Sequence, residues 1–598
     1  MVTDSNGNGK EAERCSVEEV ALVVPETDDP SLPVMTFRAW VLGVSSCALL
    51  IFFNTFFIYR TQPLSISAIL MQIAVLPLGK FMAATLPDKE YTLFGRWRFS
   101  LNPGPFNIKE HVIITVIANC GVSQGGGDAY SIGAVTVMKG YYKQTLNFLC
   151  ALLIVLTTQM VGYGWAGMLR KYLVDPVEMW WPSNVAQVSL FRALHERESK
   201  SMGMTRMRFF LICMAANWLG LPWPRCGCIH PRLGWDFGLP WQPFGHTLFL
   251  YPECHGFARF TATLTHVALF HGSDIWKQSR AAVKNAKADV HTKLMQSYKQ
   301  VPQWWFLVLL VGSIVLSLLL SFVWKVVVQL PWWGMLFAFA LAWVVTLPIG
   351  VIQATTNQQP GYDIIAQFII GYILLGKPIA NLLFKIYGRI STVHALSFLA
   401  DLKLGHYMKI PPRSMFWAQL VGTLVSGTPW TCPKFRVTFD ASVIWGLIGP
   451  ERLFGAGGLY RNLVWLFLVG AVLPVLVWLL SKMFPNNKWI PLINIPVISY
   501  GFAGMPPATP TNIASWILTG TIFNYFVFKY RRTWWQRYNY VLSAALDAGT
   551  AFMGVLLFFA LQNGGKNVKW WGSELDHCPL ASCPTAPGIF VPGCPVFR

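Results

Sequence analysis

From 39 to 59 the chain carries no charged side chain, and the same holds over 144–169, 304–323, 331–352, 463–480 and 511–528. A bilayer hydrocarbon core of about 30 Å takes roughly 20 apolar residues at about 1.5 Å each, so these runs have the reach of a membrane span. Lipid offers the backbone no hydrogen-bond partners, and a spanning segment therefore closes its own bonds as a helix. Further runs are interrupted: 64–86 across Lys80, 111–127, 207–224, 363–384 across Lys377, 414–428, 490–505, and 540–562 across Asp547. Together they predict an all-α fold, a polytopic integral membrane bundle of about 12 to 14 segments, some of them re-entrant or broken.

Hydrophobic residues make up 54% of the chain and charged residues 12%, half the roughly 25% of a soluble domain. No soluble fold covers that much apolar surface. The net charge of +20 does not form a basic face for nucleic acid, because Lys and Arg fall in short loops between apolar runs. Cytoplasmic loops carry this excess. Lys277, Arg280, Lys284, Lys287, Lys293 and Lys299 make one such loop, and Lys529, Arg531, Arg532 and Arg537 another. Both are predicted to be cytoplasmic, yet an odd number of apolar segments separates them. One is therefore not a full span, and 490–505, with Pro491 and Pro496, and the short 414–428 are the candidates.

The first 33 residues are polar and acidic, the reverse of a basic, then apolar, signal peptide, so insertion is expected to begin at the first membrane helix. The chain divides into an acidic cytoplasmic tail (1–35), a transporter-like membrane region (36–562) and a Cys- and Pro-rich tail (563–598). Within it, 222–256 is atypical: Pro222, Pro224, Pro231, Pro240, Pro243 and Pro252 interrupt it, and neither a helix nor a metal site is expected there. Cys226, Cys228 and His230 lack the paired spacing of structural zinc. Cys47, Cys120, Cys150 and Cys213 lie in apolar runs as small hydrophobes. Cys578, Cys583 and Cys594 leave a disulfide, a metal site or free thiols open. No cofactor is assigned.

Two short motifs stand out. Asn102-Pro103-Gly104-Pro105 reads as a rigid turn, with Asn107 capping a helix that opens on Lys109, Glu110 and His111. Lys409-Ile-Pro-Pro-Arg413 holds two cations at the mouth of an apolar segment. This pairing resembles the peptide-transporting branch of the oligopeptide transporter family, marked by an NPG motif and a KIPPR motif. The likeness extends through Gln353-Ala-Thr-Thr-Asn357 to Asp363, Gly376-Lys377-Pro378, His394 and Asp401, and through Trp430-Thr-Cys432-Pro433, Asn494-Ile-Pro496, Met505-Pro-Pro507 and Leu546-Asp547-Ala-Gly549. It covers about 34–211 and 261–594 and looks plant-like. The chain departs from the family around 222–256 and just after Leu424, where members carry additional sequence.

The resemblance implies proton-coupled import of small peptides, tetra- or pentapeptides or glutathione, across the plasma membrane. Transport of a metal or a nicotianamine-type metal chelate, and a non-transporting membrane scaffold or degenerate copy, are the alternatives. Charges in or beside the apolar segments are Glu110, His111, Asp128, Glu178, His266, Asp363, Lys377, Asp401, Arg413 and Asp547. A charge at a helix centre costs about 2.5–3.5 kcal/mol on insertion scales, so such residues face a cavity or a partner. Asn102, Pro103, Gly104, Glu110, His111, Asp128, Asp363, Lys409, Arg413 and Asp547 are the expected substrate and proton pathway, with Glu110 leading and His111 assisting. Gly125–Gly127 before Asp128 lacks the Lys and Ser/Thr of a phosphate loop. With no nucleophile–base pair either, the chain is not expected to be an enzyme.

Overall fold

The apolar runs fold as helices in the computed structural model, which describes residues 17–58, 66, 68–93, 97–122, 130–196, 204–218, 246–281, 290–426, 435–458, 460–487, 489–503, 510–560 and 562–564. In chain order, α1 (Glu18–Val23), α2 (Phe37–Ile58) and α3 (Ala68–Thr85) come first. An antiparallel hairpin follows, β1 (Glu90–Leu93) and β2 (Trp97–Ser100), with Glu90 opposite Ser100 and Leu93 opposite Trp97. Next are α4 (Ile108–Val122), α5 (Tyr130–Gly140), α6 (Phe148–Leu173), α7 (Pro182–His195), α8 (Arg206–Trp218), α9 (His246–His266), α10 (Gly272–Ala281) and α11 (Val290–Gln296). The second half holds α12 (Gln303–Val323), α13 (Trp332–Thr356), α14 (Asp363–Ile373), α15 (Pro378–Lys385), α16 (Ser391–Tyr407), α17 (Pro412–Ser426) and α18 (Phe435–Ser442). It closes with α19 (Trp465–Met483), α20 (Ile495–Ala503), α21 (Pro510–Thr521) and α22 (Arg532–Ala560).

Seven described helices have the length and composition of a bilayer span: α2, α3, α6, α12, α13, α19 with its leading turn, and α22. Other expected segments are shorter or broken. The 363–384 run is two helices, because Gly376 takes a left-handed φ of 73° and Pro378 starts α15. The 490–505 run yields only the nine-residue α20, about 14 Å of helix and too short to span. The prolines of 222–256 predict no helix there, yet residues 246–256 open α9, with Pro252 inside it. A proline inside a helix removes one backbone bond without preventing the rest. The remaining 219–245, with Cys226, Cys228 and His230, lies outside the described residues, as do 427–434 and the C-terminal tail.

Packing centres on α16, buried along nearly its whole length and enclosed by α6, α7, α13 and α17. Helices in lipid associate by close packing, and small residues let backbones approach. At the α6–α12 contact a Cβ on Gly167 would stand 2.0 Å from the Phe306 ring. Only glycine admits that approach. Among the described residues four π-helical turns interrupt the bundle, one of them Ile386–Ile390, which joins α15 to α16; such turns recur at functional sites.

The N-terminal segment is tied down rather than trailing. Lys109 donates to Asp28 Oδ1 at 2.8 Å and to the Asp29 carbonyl at 2.8 Å, and Tyr298 donates to Asp28 Oδ2 at 2.6 Å. Gln536 donates to the Leu22 carbonyl at 3.1 Å, and Glu18 pairs with Arg532.

Candidate functional site

The NPG turn builds a fixed corner. Asn102 donates its amide to the carbonyls of Ala83 and Leu86 at 2.9 and 3.0 Å, capping the end of α3. Its Oδ1 accepts from Arg38 at 2.9 Å, and Arg38 reaches the Gly104 carbonyl at 2.8 Å. Asn107 and Glu110 form a reciprocal capping box: Glu110 N–H donates to Asn107 Oδ1 at 2.9 Å, and Asn107 N–H donates to Glu110 Oε2 at 3.1 Å. Glu110 also accepts from Arg38 at 3.0 and 3.1 Å and from Thr36 at 2.5 Å. Both Arg38 and Glu110 side chains are fully buried. A carboxylate so fully satisfied is a lock between α2 and α4.

His111 is buried against His195, Nδ1 to Nε2 at 2.8 Å, with its Nε2 against the Gln72 carbonyl at 2.9 Å. Lys409, at φ 55°, places its ammonium 2.9 Å from His291 Nδ1 and donates to the Tyr407 carbonyl at 2.9 Å. Arg413 is exposed, lies over the Trp305 ring and donates to the Gln300 carbonyl at 3.3 Å. Asp547 sits half-buried midway along α22. Pro103 completes the turn beside Gly104, and Asp128 lies outside the described residues. The structure thus gathers Asn102, Gly104 and Glu110 into one network and leaves Asp363, Lys409, Arg413 and Asp547 apart from it.

Asp363 belongs to a different and more open constellation. It begins α14, where a carboxylate meets the positive end of the helix dipole. Arg389, on the π-helical turn, donates Nε to Asp363 Oδ2 at 3.2 Å, and Lys385 Nζ stands 3.9 Å from Oδ1. From α9, Arg259 donates to the Gly361 carbonyl at 2.9 Å and stacks over Tyr500 of α20. Tyr362 lies under the Arg389 guanidinium and shares a 2.9 Å hydrogen bond with Thr392, which meets Thr346 at 2.9 Å. Three cations thus surround one carboxylate.

This centre is not closed on itself. The Asp363 side chain keeps 38% of its surface accessible, although Gly361, Tyr362 and Ile364 around it are buried. Arg389 Nη1 is buried without a hydrogen-bond partner, and so, in the segment that leads into α14, are Gln353 Oε1, Gln358 Oε1 and Gln359 Nε2. Unmade bonds of buried polar groups cost about 1–3 kcal/mol each, so a ligand that completes them gains accordingly. Asp363 is legible in the sequence, whereas Arg38, Arg259, Lys385 and Arg389 escape a reading that looks for motifs. The available signal is Lys385 and Arg389, four residues apart in the otherwise uncharged 379–400.

A multi-helix membrane bundle whose broken helices converge on a charged, accessible interior centre defines a membrane transporter. The family model described as OPT oligopeptide transporter protein matches residues 34–224 and 243–561, and the chain belongs to that family. Among curated proteins it is similar to Oligopeptide transporter 3 of Arabidopsis thaliana, 64% identical over 720 residues, covering 98% of each chain. Oligopeptide transporter 7 of the same plant is 45% identical, covering 97% of this chain and 93% of the relative; Oligopeptide transporter 2 is 46% identical, covering 97% of each. An alignment of 720 positions exceeds the 598 residues of this chain, so the relative carries internal segments that this chain lacks. The family model leaves 225–242 of this chain unmatched.

Proposed function

We propose that the chain is a proton-coupled importer of small peptides at the plasma membrane, with the Asp363 centre as its substrate site. The observation that carries this reading is the excess of cations over carboxylates at an accessible point beside broken helices. A peptide brings a carboxylate for Arg389 and Arg259 and an ammonium for Asp363. Bidentate guanidinium–carboxylate bonds are among the strongest polar contacts available. An extended tetrapeptide reaches about 13 Å at 3.3–3.6 Å per residue, so its two ends engage different helices. The unpartnered Nη1 of Arg389 suits its carboxylate.

The same surplus of cations favours a second reading, a metal chelate with several carboxylates. Uptake of labelled tetra-alanine into liposomes holding the purified protein, with acid outside, separates the two. Saturable accumulation blocked by unlabelled peptide, and lost when the peptide is amidated at its C-terminus, supports the peptide reading. Competition by nicotianamine complexes alone supports the chelate. No protein-dependent flux of either sinks both.

A further inference from the structure

Proton coupling needs a group whose charge changes during the cycle, and the strongly paired carboxylates of this chain are poor candidates. Glu110 is closed in by Arg38, and Asp363 is ion-paired with Arg389 and Lys385. We propose that Asp401, on the central helix α16, is the proton-binding carboxylate of transport.

Asp401 is buried, at 9% exposure, where α17 packs against both α4 and α16. Its Oδ1 accepts from the Asn119 amide of α4 at 2.9 Å, and the Gln419 side chain of α17 stands beside it. Gln419 also donates to the Phe398 carbonyl at 3.1 Å. No Lys or Arg among the described residues forms an ion pair with Asp401. A thiol, Cys120 of α4, lies close to it, and on its own helix Lys403, two residues on, donates to the Val174 and Pro176 carbonyls. From α7, Asn184 donates to the Ala400 carbonyl, and from α6, Tyr163 donates to the Phe416 carbonyl.

A carboxylate with an amide donor but no ion-pair partner sits between two opposing costs. Burial disfavours its charge, and the donor favours it. A small change in packing or hydration then tips its protonation, whereas a carboxylate locked to Arg needs several kcal/mol to release. Because Asn119 lies on another helix, gaining or losing the proton changes how α16 is held by α4. The same helix leads back through the π-helical turn to Arg389, twelve residues away or about 18 Å. Protonation at one end is thereby linked to the substrate centre at the other. Asp547 lacks this linkage, since it sits on α22, away from α16.

The assignment rests on the proton-coupled reading for its role, but the proton site itself is measured without substrate. Infrared difference spectra of the purified protein between acid and neutral pH should show the carbonyl stretch of a protonated buried carboxyl, absent in Asp401→Asn. Asn119→Ala removes a donor that favours the charged form, so the titration midpoint should move to higher pH, which also covers failure of Asp401→Asn to fold. In liposomes, Asp401→Asn should lose accumulation of tetra-alanine against its gradient while keeping exchange of tetra-alanine across the membrane. A band that titrates unchanged in Asp401→Asn, a midpoint unmoved in Asn119→Ala, or gradient-driven accumulation intact in Asp401→Asn would overturn the proposal. An Asp401-dependent band without any tetra-alanine flux in wild type would remove the peptide reading and leave the proton site standing.

Discussion

Glu110 and Asp363 are both carboxylates paired to Arg, and the difference in their surroundings sets what each can do. Around Glu110 the Arg38 guanidinium, Thr36 and Asn107 fill every acceptor position, and the pair is sealed from solvent. Breaking a buried pair by removing one partner leaves an uncompensated charge and costs about 3–5 kcal/mol. Glu110→Gln is therefore expected to lower the yield and melting temperature of the folded protein, and Arg38→Met added to it should recover part of the loss. A fully stable Glu110→Gln protein with altered pH dependence of uptake would return Glu110 to the proton pathway. Around Asp363 a recess remains open. Asp363→Asn should raise the KM for tetra-alanine about tenfold or more, the loss of a charged hydrogen bond of roughly 1.5–3 kcal/mol, with little change in melting temperature.

Close contacts between helices carry the fold at the next scale. Gly167→Leu would drive a side chain into Phe306, and overpacking of this kind costs about 1–3 kcal/mol. It should lower the melting temperature of detergent-purified protein. Gly312→Ala on α12 should not, because its added methyl would meet nothing within 4 Å. The long uncharged runs are readable as helices because lipid leaves no alternative for their backbones. The break between α14 and α15 is less so, since a single Lys377 in 363–384 is also compatible with one continuous helix. Only the left-handed Gly376 and the leading Pro378 reveal it. Likewise Asp363 is legible as a charge in an apolar run, but its partners are not. Arg389 is 26 residues away, and Arg259 meets the carbonyl of Gly361 across 102. Spacing along a chain does not report such convergence, and helix packing does.

Across the whole molecule, the N-terminal strap and the basic loops lie together on one side of the bundle through Lys109, Tyr298 and Arg532. That side is expected to be cytoplasmic. A cysteine at Lys287, outside the described residues, should resist an impermeant reagent on intact cells and react once they are opened; labelling of intact cells would reverse the orientation. Stability should also fall in acid. His291, on α11 between membrane helices, is buried, and burial followed by the ammoniums of Lys409 and Lys403 pushes its pKa down to about 3. An unfolded His titrates near 6.5, so below that value the unfolded chain takes up a proton that the folded one refuses. The contribution is complete above about 6.5 and declines toward about 3, by up to about 1.4 kcal/mol per pH unit. Melting temperature against pH should show a shallower acid limb in His291→Phe than in wild type.

The central claim is that the Asp363 centre binds the carboxylate of the transported molecule, and Arg389 is the residue on which it turns. Uptake of labelled tetra-alanine by purified protein in liposomes, compared between wild type and Arg389→Gln at matched protein stability, tests it most directly. The KM should rise about tenfold to a hundredfold in Arg389→Gln, the loss of one charge-assisted hydrogen bond of roughly 1.5–3 kcal/mol, while C-amidated tetra-alanine is handled equally poorly by both. An unchanged KM for tetra-alanine in stable Arg389→Gln would contradict the account.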